Sequence, residues 1–312
     1  MQAAGKSVKS MFVPAARSIN EYDLKAFSMF LNRNESLFCL TGAGISTESG
    51  IPDYRSKGVG LYDRDNHKPI THQEFTRSAH KRQRYWARNY VGYKYFAIRE
   101  PNENHFAIDK LIKRGKIRNL VTQNVDGLHL KAGSHDLVEL HGNNHRVVCL
   151  DCRRIIARQK LQGLLDVANV NWETPITEET KMAPDADSIL TPEEIEGFQV
   201  CDCPYCGGIL KPDVTFFGDN VNYNLVQSCY ESVRNNDACL VVGSSLFVWS
   251  GFRFIREAIS NGKDVFVINI GETRADAFAK KNNLSSTRYS KCEVQASLLL
   301  NNFVNSDIPD HL

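Results

Sequence analysis

Four short apolar runs constrain the fold of this 312-residue chain more than any other feature. They span residues 37–41, 119–122, 238–243 and 265–270, and each ends at a polar or glycine-containing loop. Continuous runs rich in Val, Ile and Leu are typical of a parallel sheet that is covered on both faces. Helical stretches precede them, at residues 21–32, 104–114, 224–235 and 252–261. The pattern therefore predicts an open α/β sheet.

Two regions break this alternation and predict insertions into the sheet. Residues 55–95 are polar, aromatic and basic, and residues 149–206 are flanked by cysteines around a middle rich in proline and acids. We expect one domain at residues 21–304, with a helical insertion at about 55–100 and a zinc-binding insertion at about 143–212. Residues 1–20 are predicted to be a transit peptide or a disordered basic tail, and residues 305–312 a second tail.

The composition is that of an ordinary globular protein. Apolar residues make up 42% of the chain and charged residues 24%, with a net charge of +2. So small a charge indicates no strong field for nucleic acid or for an anionic membrane. No apolar run approaches the ~18–20 residues that a bilayer span requires. We therefore expect neither nucleic acid nor a membrane as a partner.

Two C-x-x-C pairs predict a metal site. Cys149 and Cys152 form one pair, Cys203 and Cys206 form the other, and 50 residues separate the pairs. Each turn lets two thiolates hold one ion, so two turns make a tetrahedral zinc site. Because four thiolates close the coordination sphere, we expect one structural zinc ion. Cys201 is a rival for Cys203, but its spacing to Cys206 does not suit such a turn.

A glycine pair follows the first apolar run. Gly42 and Gly44 fit the first turn of a nucleotide-binding α/β unit, in which Gly44 would let backbone N–H groups approach a pyrophosphate. Thr47 stands where the dinucleotide fingerprint has its third glycine, and no strand brings an acid to the usual ribose position. The Pro-Asp-Tyr-Arg stretch that starts at Pro52 predicts instead a loop that lies over the ligand.

Polar groups and a histidine follow the next strands. Gln123, Asn124 and Asp126 offer amide and carboxylate groups that suit ribose hydroxyls and a carboxamide. His141 stands just before a glycine, and histidine is the natural general base near neutral pH. Because ligands bind beyond the carboxyl ends of strands in such sheets, we expect these loops to form one site.

Together these stretches resemble the sirtuin family, the NAD-dependent protein-lysine deacylases. The matching motifs are GAGIS-x-x-SGIPDYR, TQNVDGLH, ELHG, the two C-x-x-C pairs, KPDVTFFGD, GSSL and INIG. The resemblance implies a Rossmann-type large domain, a smaller zinc and helical domain, and an active site in the cleft between them. It also implies a reaction in which the acyl-lysine oxygen attacks the ribose of NAD. The products would be lysine, nicotinamide and O-acyl-ADP-ribose.

The resemblance further implies roles for particular residues. His141 would be the base that activates a ribose hydroxyl, with Asn124 and Asp126 as the other catalytic residues at the nicotinamide end. Phosphates would lie against the glycines and serines, the adenosine ribose against Asn269, and the adenine near Cys292. The implied cofactor-binding set is Gly42, Ala43, Gly44, Ile45, Ser46, Asp53, Tyr54, Arg55, Gln123, Asn124, Asp126, Gly243, Ser244, Ser245, Asn269, Ile270, Gly271 and Cys292.

Within the family, the greatest similarity is to class II mitochondrial sirtuins of the sirtuin-4 type. Stretches such as RQRYWARNYVGY and PDADSILTPEEIEGFQV carry it. This implies a mitochondrial matrix location and acylated lysines of mitochondrial proteins as substrates, with acyl groups other than acetyl. Tyr85 and Arg88 have the spacing with which the sirtuin-5 type reads acidic acyl groups, although a solvated helix face would also explain them. Phe217, Gly218 and Phe247 complete the implied substrate-binding set.

Three other functions stay open from the sequence. A mono-ADP-ribosyltransferase would also release nicotinamide, so only its products distinguish it. A zinc-ribbon nucleic-acid-binding module is favoured by the basic and aromatic stretch that begins at Lys81, but the near-neutral charge argues against it. The third alternative is an NAD-dependent dehydrogenase. The sequence lacks the acidic residue that binds the ribose in such enzymes, and a dehydrogenase would leave the nicotinamide–ribose bond intact.

Overall fold

The computed structural model describes residues 11–64, 69–173 and 183–304. The predicted tail at residues 305–312 lies outside the described residues, as do the first ten residues of the predicted leader. In chain order the strands are β1 Leu37–Thr41, β2 Ile117–Thr122, β3 Leu137–Glu139, β4 Gly142–Cys149, β5 Ile155–Ala157, β6 Leu210–Val214, β7 Ala238–Val242, β8 Asp264–Ile268 and β9 Tyr289–Cys292.

The helices alternate with the strands of the large sheet and also fill the two predicted insertions. They are α1 Glu21–Arg33, α2 Leu61–Arg64, α3 His72–Arg77, α4 Ala79–Ala97, α5 Glu103–Lys113, α6 Leu128–Lys131, α7 Arg158–Ala168, α8 Pro192–Ile195, α9 Tyr223–Asn235, α10 Trp249–Ser260, α11 Arg274–Lys281 and α12 Ala296–Val304. A 3-10 helix, Ala43–Ser49, follows β1. Among the described residues, no helix combines the length and the apolarity that a membrane span needs.

A six-stranded parallel sheet in the order β3-β2-β1-β7-β8-β9 forms the larger layer. Thr41 at the end of β1 pairs with Thr122 on one side and Val242 on the other, so the strands end level with one another. The strand order reverses between β1 and β7. Crevices for ligands open at such a switch point, at the carboxyl ends of the strands.

Helices cover both faces of this sheet, which is why its strands are apolar throughout. In β1, Leu37 and Cys39 face a core that includes Phe27 of α1 and Leu299 of α12. The alternate residues face the opposite core, which α9, α10 and α11 cover. This arrangement confirms the predicted α/β fold with a Rossmann-type parallel sheet. The sequence missed β9, a short polar strand that pairs with β8 at the edge of the sheet.

A small antiparallel sheet, in the order β5-β4-β6, lies beside α4 and α7. Trp86 of α4 is 1% exposed and donates its indole N–H to the carbonyl of Leu210, at 3.2 Å. The buried Arg158 lies with its guanidinium carbon 4.3 Å from the ring centre of Tyr93. Aromatic packing therefore holds the two insertions together as one unit.

Two predicted strand ends differ from the structure by one or two residues. Gly243 has φ +63° and leaves the sheet after Val242, and β8 ends at Ile268 rather than at residue 270. At both places the chain turns out of the sheet to line the crevice described below. The apolar pattern of the sequence continues past these turns and so could not predict where the strands end.

Candidate active site

One cavity of about 920 Å³ opens at the carboxyl ends of β1, β2, β7 and β8. Most of the residues that the resemblance implied for cofactor and substrate line it. Three do not line it, namely Ile45, Arg88 and Cys292, so the contact of these three residues with a ligand stays a prediction. Ile45 and Cys292 are both buried in the apolar core beneath the sheet, and Arg88 turns toward a neighbouring loop. A volume near the upper end of the usual ~300–1,000 Å³ range suits a dinucleotide together with part of a second substrate.

The glycine pair is required by packing between two loops. A Cβ on Gly42 would lie 2.8 Å from the carbonyl oxygen of Gly243, and one on Gly44 would lie 2.9 Å from it. The amide of Gly44 donates to that oxygen at 2.8 Å. The Gly44 amide therefore already has a partner, and the approach of other backbone N–H groups to a pyrophosphate stays a prediction. What the glycines allow is the close contact of the β1 and β7 loops that forms the base of the cavity.

Asn124 and Asp126 leave β2 in one polar network with the 3-10 helix, whereas the Gln123 amide donates to the carbonyl of Thr41 at 3.2 Å and to the hydroxyl of Ser244 at 2.7 Å. The Asn124 amide donates to the carbonyl of Gly42 at 3.1 Å and to the hydroxyl of Ser46 at 3.2 Å. Ser46 in turn donates to Asp126 at 2.7 Å. Burial raises the pKa of Asp126, which lies in the wall of the cavity. The three side chains are thus oriented before any ligand arrives.

The imidazole of His141 is held from both ring nitrogens. Nδ1 lies 2.9 Å from the carbonyl oxygen of Gln123, and Nε2 lies 2.7 Å from the hydroxyl of Ser250. A carbonyl only accepts, so Nδ1 carries the proton and Nε2 has a free electron pair. Burial lowers the pKa of His141 to about 4, so the ring is neutral at physiological pH. A neutral imidazole with an unprotonated Nε2 in the cavity is a general base.

Sequence reasoning missed Ser250. It lies on the first turn of α10, and no motif around it marks a polar partner for a histidine 109 positions earlier. Sequence reasoning also missed Val13, Pro14 and Ala15, which line the cavity and come from the predicted leader segment. The apolar run Met11–Ala16 within a basic tail was the one signal available.

The loop that follows the 3-10 helix is ordered by Asp53. Its carboxylate accepts hydrogen bonds from the backbone N–H groups of Arg55 and Ser56, at 2.9 and 2.8 Å. The Arg55 guanidinium lies 5.3 Å from the ring centre of Tyr62 and 5.5 Å from that of Phe247. Cation–π contacts therefore join this loop to the opposite rim of the cavity.

Tyr85 and Arg88 separate in the structure. Tyr85 lines the cavity, and its ring packs against Phe216, 5.2 Å between ring centres. The Arg88 guanidinium instead pairs with Asp187 at 2.8 Å and donates to the carbonyl of Ser188 at 2.5 Å. Asp187 and Asp185 line the cavity, and burial raises the pKa of Asp187 to about 7. Arg88 thus forms an ion pair with a carboxylate of the protein itself, and its role in binding an acyl group stays a prediction.

The segment that carries these acids packs on α4. A Cβ on Gly92 would lie 2.2 Å from the carbonyl oxygen of Ala186, so only glycine admits the segment there. The Asn144 amide donates to the carbonyl of Asp185 at 2.6 Å. The region between the cysteine pairs, whose role the sequence left open, therefore supplies part of the cavity wall.

Phe217, Gly218 and Phe247 lie at the mouth of the cavity. Phe217 is 45% exposed and Phe247 52% exposed, so both present apolar surface to an incoming chain. Gly218 has φ +76°, a conformation that favours glycine. Three of the predicted substrate residues thus lie at the mouth, whereas Tyr85 is buried in the cavity wall and Arg88 lies outside the cavity.

At the far end, Asn269 follows β8 and its backbone N–H donates to the carbonyl of Cys292 at 3.2 Å. Asn269 lines the cavity, whereas the Cys292 thiol is 1% exposed. Cys292 therefore positions the neighbouring loop through its backbone.

The four predicted cysteines form one cluster. Their sulfur atoms all lie within 4.8 Å of one another, with Cys149 and Cys206 at 3.5 Å and Cys152 and Cys203 at 3.8 Å. Tetrahedral zinc with bonds of about 2.3 Å places its sulfur ligands about 3.8 Å apart, so the donor set fits one zinc ion. Cys201 is not part of the cluster. None of the four cysteines lines the cavity, and the cluster joins the turns beside β4 and β6, as a structural site does.

Comparisons with known proteins agree with this geometry. The model of the Sir2 family matches residues 42–250. The NAD-dependent protein lipoamidase sirtuin-4, mitochondrial, of Bos taurus is 49% identical over 269 residues, which cover 86% of this chain and 84% of that protein. The NAD-dependent protein deacylase sir-2.2 of Caenorhabditis elegans is 49% identical over 268 residues, covering 86% of this chain and 93% of that protein.

Solved structures show the same fold. One, described under "Structural Basis for the Mechanism and Regulation of Sir2 Enzymes", aligns with a TM-score of 0.66 and 25% identity over 92% of this chain and 98% of that chain. Another, Sir2Tm bound to a propionylated peptide, aligns with a TM-score of 0.66 over 90% of this chain and 97% of that chain. Family model, relatives and fold together show that the chain belongs to the Sir2 family, the sirtuins.

Proposed function

We propose that the chain is an NAD-dependent protein-lysine deacylase that transfers acyl groups from lysine side chains of proteins. The observation that carries this proposal is the neutral His141, whose unprotonated Nε2 faces the cavity beside Asn124 and Asp126. Two relatives named as a lipoamidase and a deacylase support it. Sirtuins use NAD. The ribose carbon that carries the nicotinamide is the electrophile that the acyl oxygen attacks, and nicotinamide is the leaving group.

In this proposal each residue of the network has one task. His141 accepts a proton from a ribose hydroxyl at Nε2, in the place that the Ser250 hydroxyl now occupies at 2.7 Å. Asn124 and Asp126 orient the nicotinamide end, since Ser46 already fixes both side chains. The loop at Asp53 and its contact with Phe247 exclude water from the reacting atoms.

The acyl group is favoured to be larger than acetyl and uncharged. Tyr85 and Phe216 give one wall of the cavity an apolar surface that would bury a longer chain. Asp185 on the same side disfavours a carboxylate, and Arg88 is already paired with Asp187. This supports a neutral acyl group, such as the lipoyl group in the name of the bovine relative, over a dicarboxyl group.

In this proposal the zinc ion takes no part in the reaction. Cys149, Cys152, Cys203 and Cys206 would hold the ion, and four thiolates leave no open position for substrate. Its function is to join the chain segments on either side of the long connection between the pairs.

The cellular setting follows from the named relatives. Two of them, from Bos taurus and Homo sapiens, carry the word mitochondrial in their names. We therefore infer a mitochondrial location, and within it the matrix, with acylated lysines of mitochondrial proteins as substrates.

Product analysis tests the function. NAD is incubated with acetyl-, lipoyl- and glutaryl-lysine peptides, and products are identified by mass spectrometry. We expect nicotinamide and O-acyl-ADP-ribose in equal amounts, with lipoyl above glutaryl. His141→Ala should reduce turnover by about 10²–10⁴-fold, because a general base is lost. His135→Ala, at an exposed histidine away from the cavity, is the matched control.

Two results would contradict the proposal. Equal turnover in the His141 variant would remove the proposed base. Transfer of the whole ADP-ribosyl group to a protein, with no O-acyl product from any peptide, would identify a mono-ADP-ribosyltransferase instead.

A further inference from the structure

An exposed tryptophan at the cavity mouth is surrounded by three arginines. Trp249 lies on the first turn of α10 and is 41% exposed. The guanidinium carbons of Arg256, Arg274 and Arg253 lie 4.9, 5.5 and 5.9 Å from the centre of a Trp249 ring. We name these four residues the Trp249 cluster. Three like charges around one ring repel each other, and cation–π attraction to Trp249 and, for Arg274, to Phe252 at 4.7 Å offsets this in part.

The positive charge of the cluster is not neutralised within the described part of the chain. There, no carboxylate oxygen lies within 4.0 Å of any of the three guanidinium groups. The nearest acid along α10, Glu257, pairs with Arg234 at 2.9 Å instead. The buried Nε of Arg253 also has no hydrogen-bond partner among the described residues. A buried donor without an acceptor is costly, so the cluster is incomplete without an anionic group.

The cluster lies where a protein substrate would enter. Trp249 and Arg253 line the cavity, together with the exposed Phe247 at its mouth. Arg274 donates to the backbone carbonyl of Phe247 at 3.2 Å, which ties the cluster to the substrate-binding rim. Arg256 and Arg274 stand outside the cavity, and both are exposed. Groups that neighbour an inserted acyl-lysine would therefore meet these two arginines first.

We propose that the Trp249 cluster binds acidic side chains that flank the acyl-lysine of the protein substrate. This inference rests on the proposed deacylase function and adds a sequence preference to it. A guanidinium group binds a carboxylate through two parallel N–H···O bonds, and the tryptophan shields those bonds from water. Long-range attraction by the three charges also speeds the encounter with an acidic segment.

Paired peptides test the preference. Two short lipoyl-lysine peptides differ only in having Asp and Glu, or Asn and Gln, beside the lysine. The unmodified enzyme should show kcat/KM about tenfold higher for the acidic peptide, through KM, and raised salt should reduce this ratio. In Arg256→Ala the ratio should fall to about three or below, with little change for the amide peptide. Arg118→Ala is the matched control, because this exposed arginine lies on β2 and not in the cavity.

Other outcomes overturn the inference. A ratio near one in the unmodified enzyme would do so, as would an equal loss for both peptides in Arg256→Ala. A rise in KM for NAD with no change for peptides would assign the cluster to the dinucleotide. If no peptide is deacylated at all, the proposed function fails. Calorimetric binding of the two peptides without NAD then tests the cluster alone, and equal affinities would reject it.

Discussion

The His141 imidazole lies between a backbone carbonyl and the Ser250 hydroxyl, and no carboxylate contacts it among the described residues. Its tautomer is therefore set by the Gln123 carbonyl and its charge by burial. A neighbouring carboxylate would have raised the pKa and favoured the imidazolium, which cannot accept a proton. Sequence motifs pointed to this histidine, but its orientation depends on Ser250, which they did not reveal.

Activity should persist below the usual pKa of histidine. An ordinary histidine with a pKa near 6.5 is about three quarters protonated at pH 6, whereas burial lowers the pKa of His141 to about 4. We expect kcat/KM to fall by less than about twofold between pH 8 and pH 6. Initial rates across this range check the prediction. A steep acid limb centred near pH 6.5 would contradict it.

The stability of the fold also depends on pH, so the free energy of unfolding must be measured beside the pH–rate profile. Burial also lowers the pKa of His129 to about 4, so between pH 6.5 and pH 4 the unfolded chain binds protons that the folded chain does not. The free energy of unfolding therefore decreases as the pH falls below 6.5. Circular dichroism at each pH separates this loss of fold from a loss of the base.

At the scale of elements, the segment before α1 packs against the end of the cavity, which its sequence did not predict. Arg17 forms a parallel bridge with Val294 after β9 and an ion pair with the buried Asp23 at 2.5 Å. These contacts bring Val13 and Pro14 to the end of the cavity near Asn269. Strand and helix patterns could not predict this, because the segment has neither periodicity.

Val13→Asp should weaken binding of the dinucleotide. The change removes apolar surface from the cavity wall and adds a negative charge to it, which repels the phosphates of a dinucleotide and should weaken the affinity for ADP-ribose about five- to tenfold. Calorimetric titration with ADP-ribose measures this without any turnover. Ala16→Asp is the matched control, since Ala16 is exposed and lies outside the cavity wall. Equal affinities for the two variants would show that the segment takes no part in binding.

At the scale of the whole molecule, the large parallel sheet and the unit formed by the two insertions meet at the cavity. The parallel sheet supplies the loops of the dinucleotide end, and the insertions supply Tyr85, Asp187 and the zinc cluster. The cluster joins Cys149 at the end of β4 to Cys206 just before β6, so it supports the small sheet on which α4 packs.

Removing zinc should therefore reduce stability more than chemistry. Cys152→Ser should bind less than one zinc ion per chain and lower the melting temperature by roughly 5–10 °C, because a structural metal contributes folding free energy. Cadmium in place of zinc should keep kcat within about twofold, since a closed thiolate site takes no part in the reaction. Metal analysis, thermal melts and rates of the cadmium form check this. A large change in kcat with cadmium would assign zinc to the reaction.

The sequence by itself determined the alternation of strands and helices, the polar loops after the strands and the ligands of the metal cluster. Each depends on residues close together in the chain, where apolar periodicity and C-x-x-C spacing act locally. Only the tertiary structure decided that Arg88 faces Asp187, that Gly44 donates to Gly243, and that Val13 reaches the cavity. These partners lie far apart in sequence, and packing between elements chooses them because each buried polar group must find an acceptor or donor wherever the fold provides one.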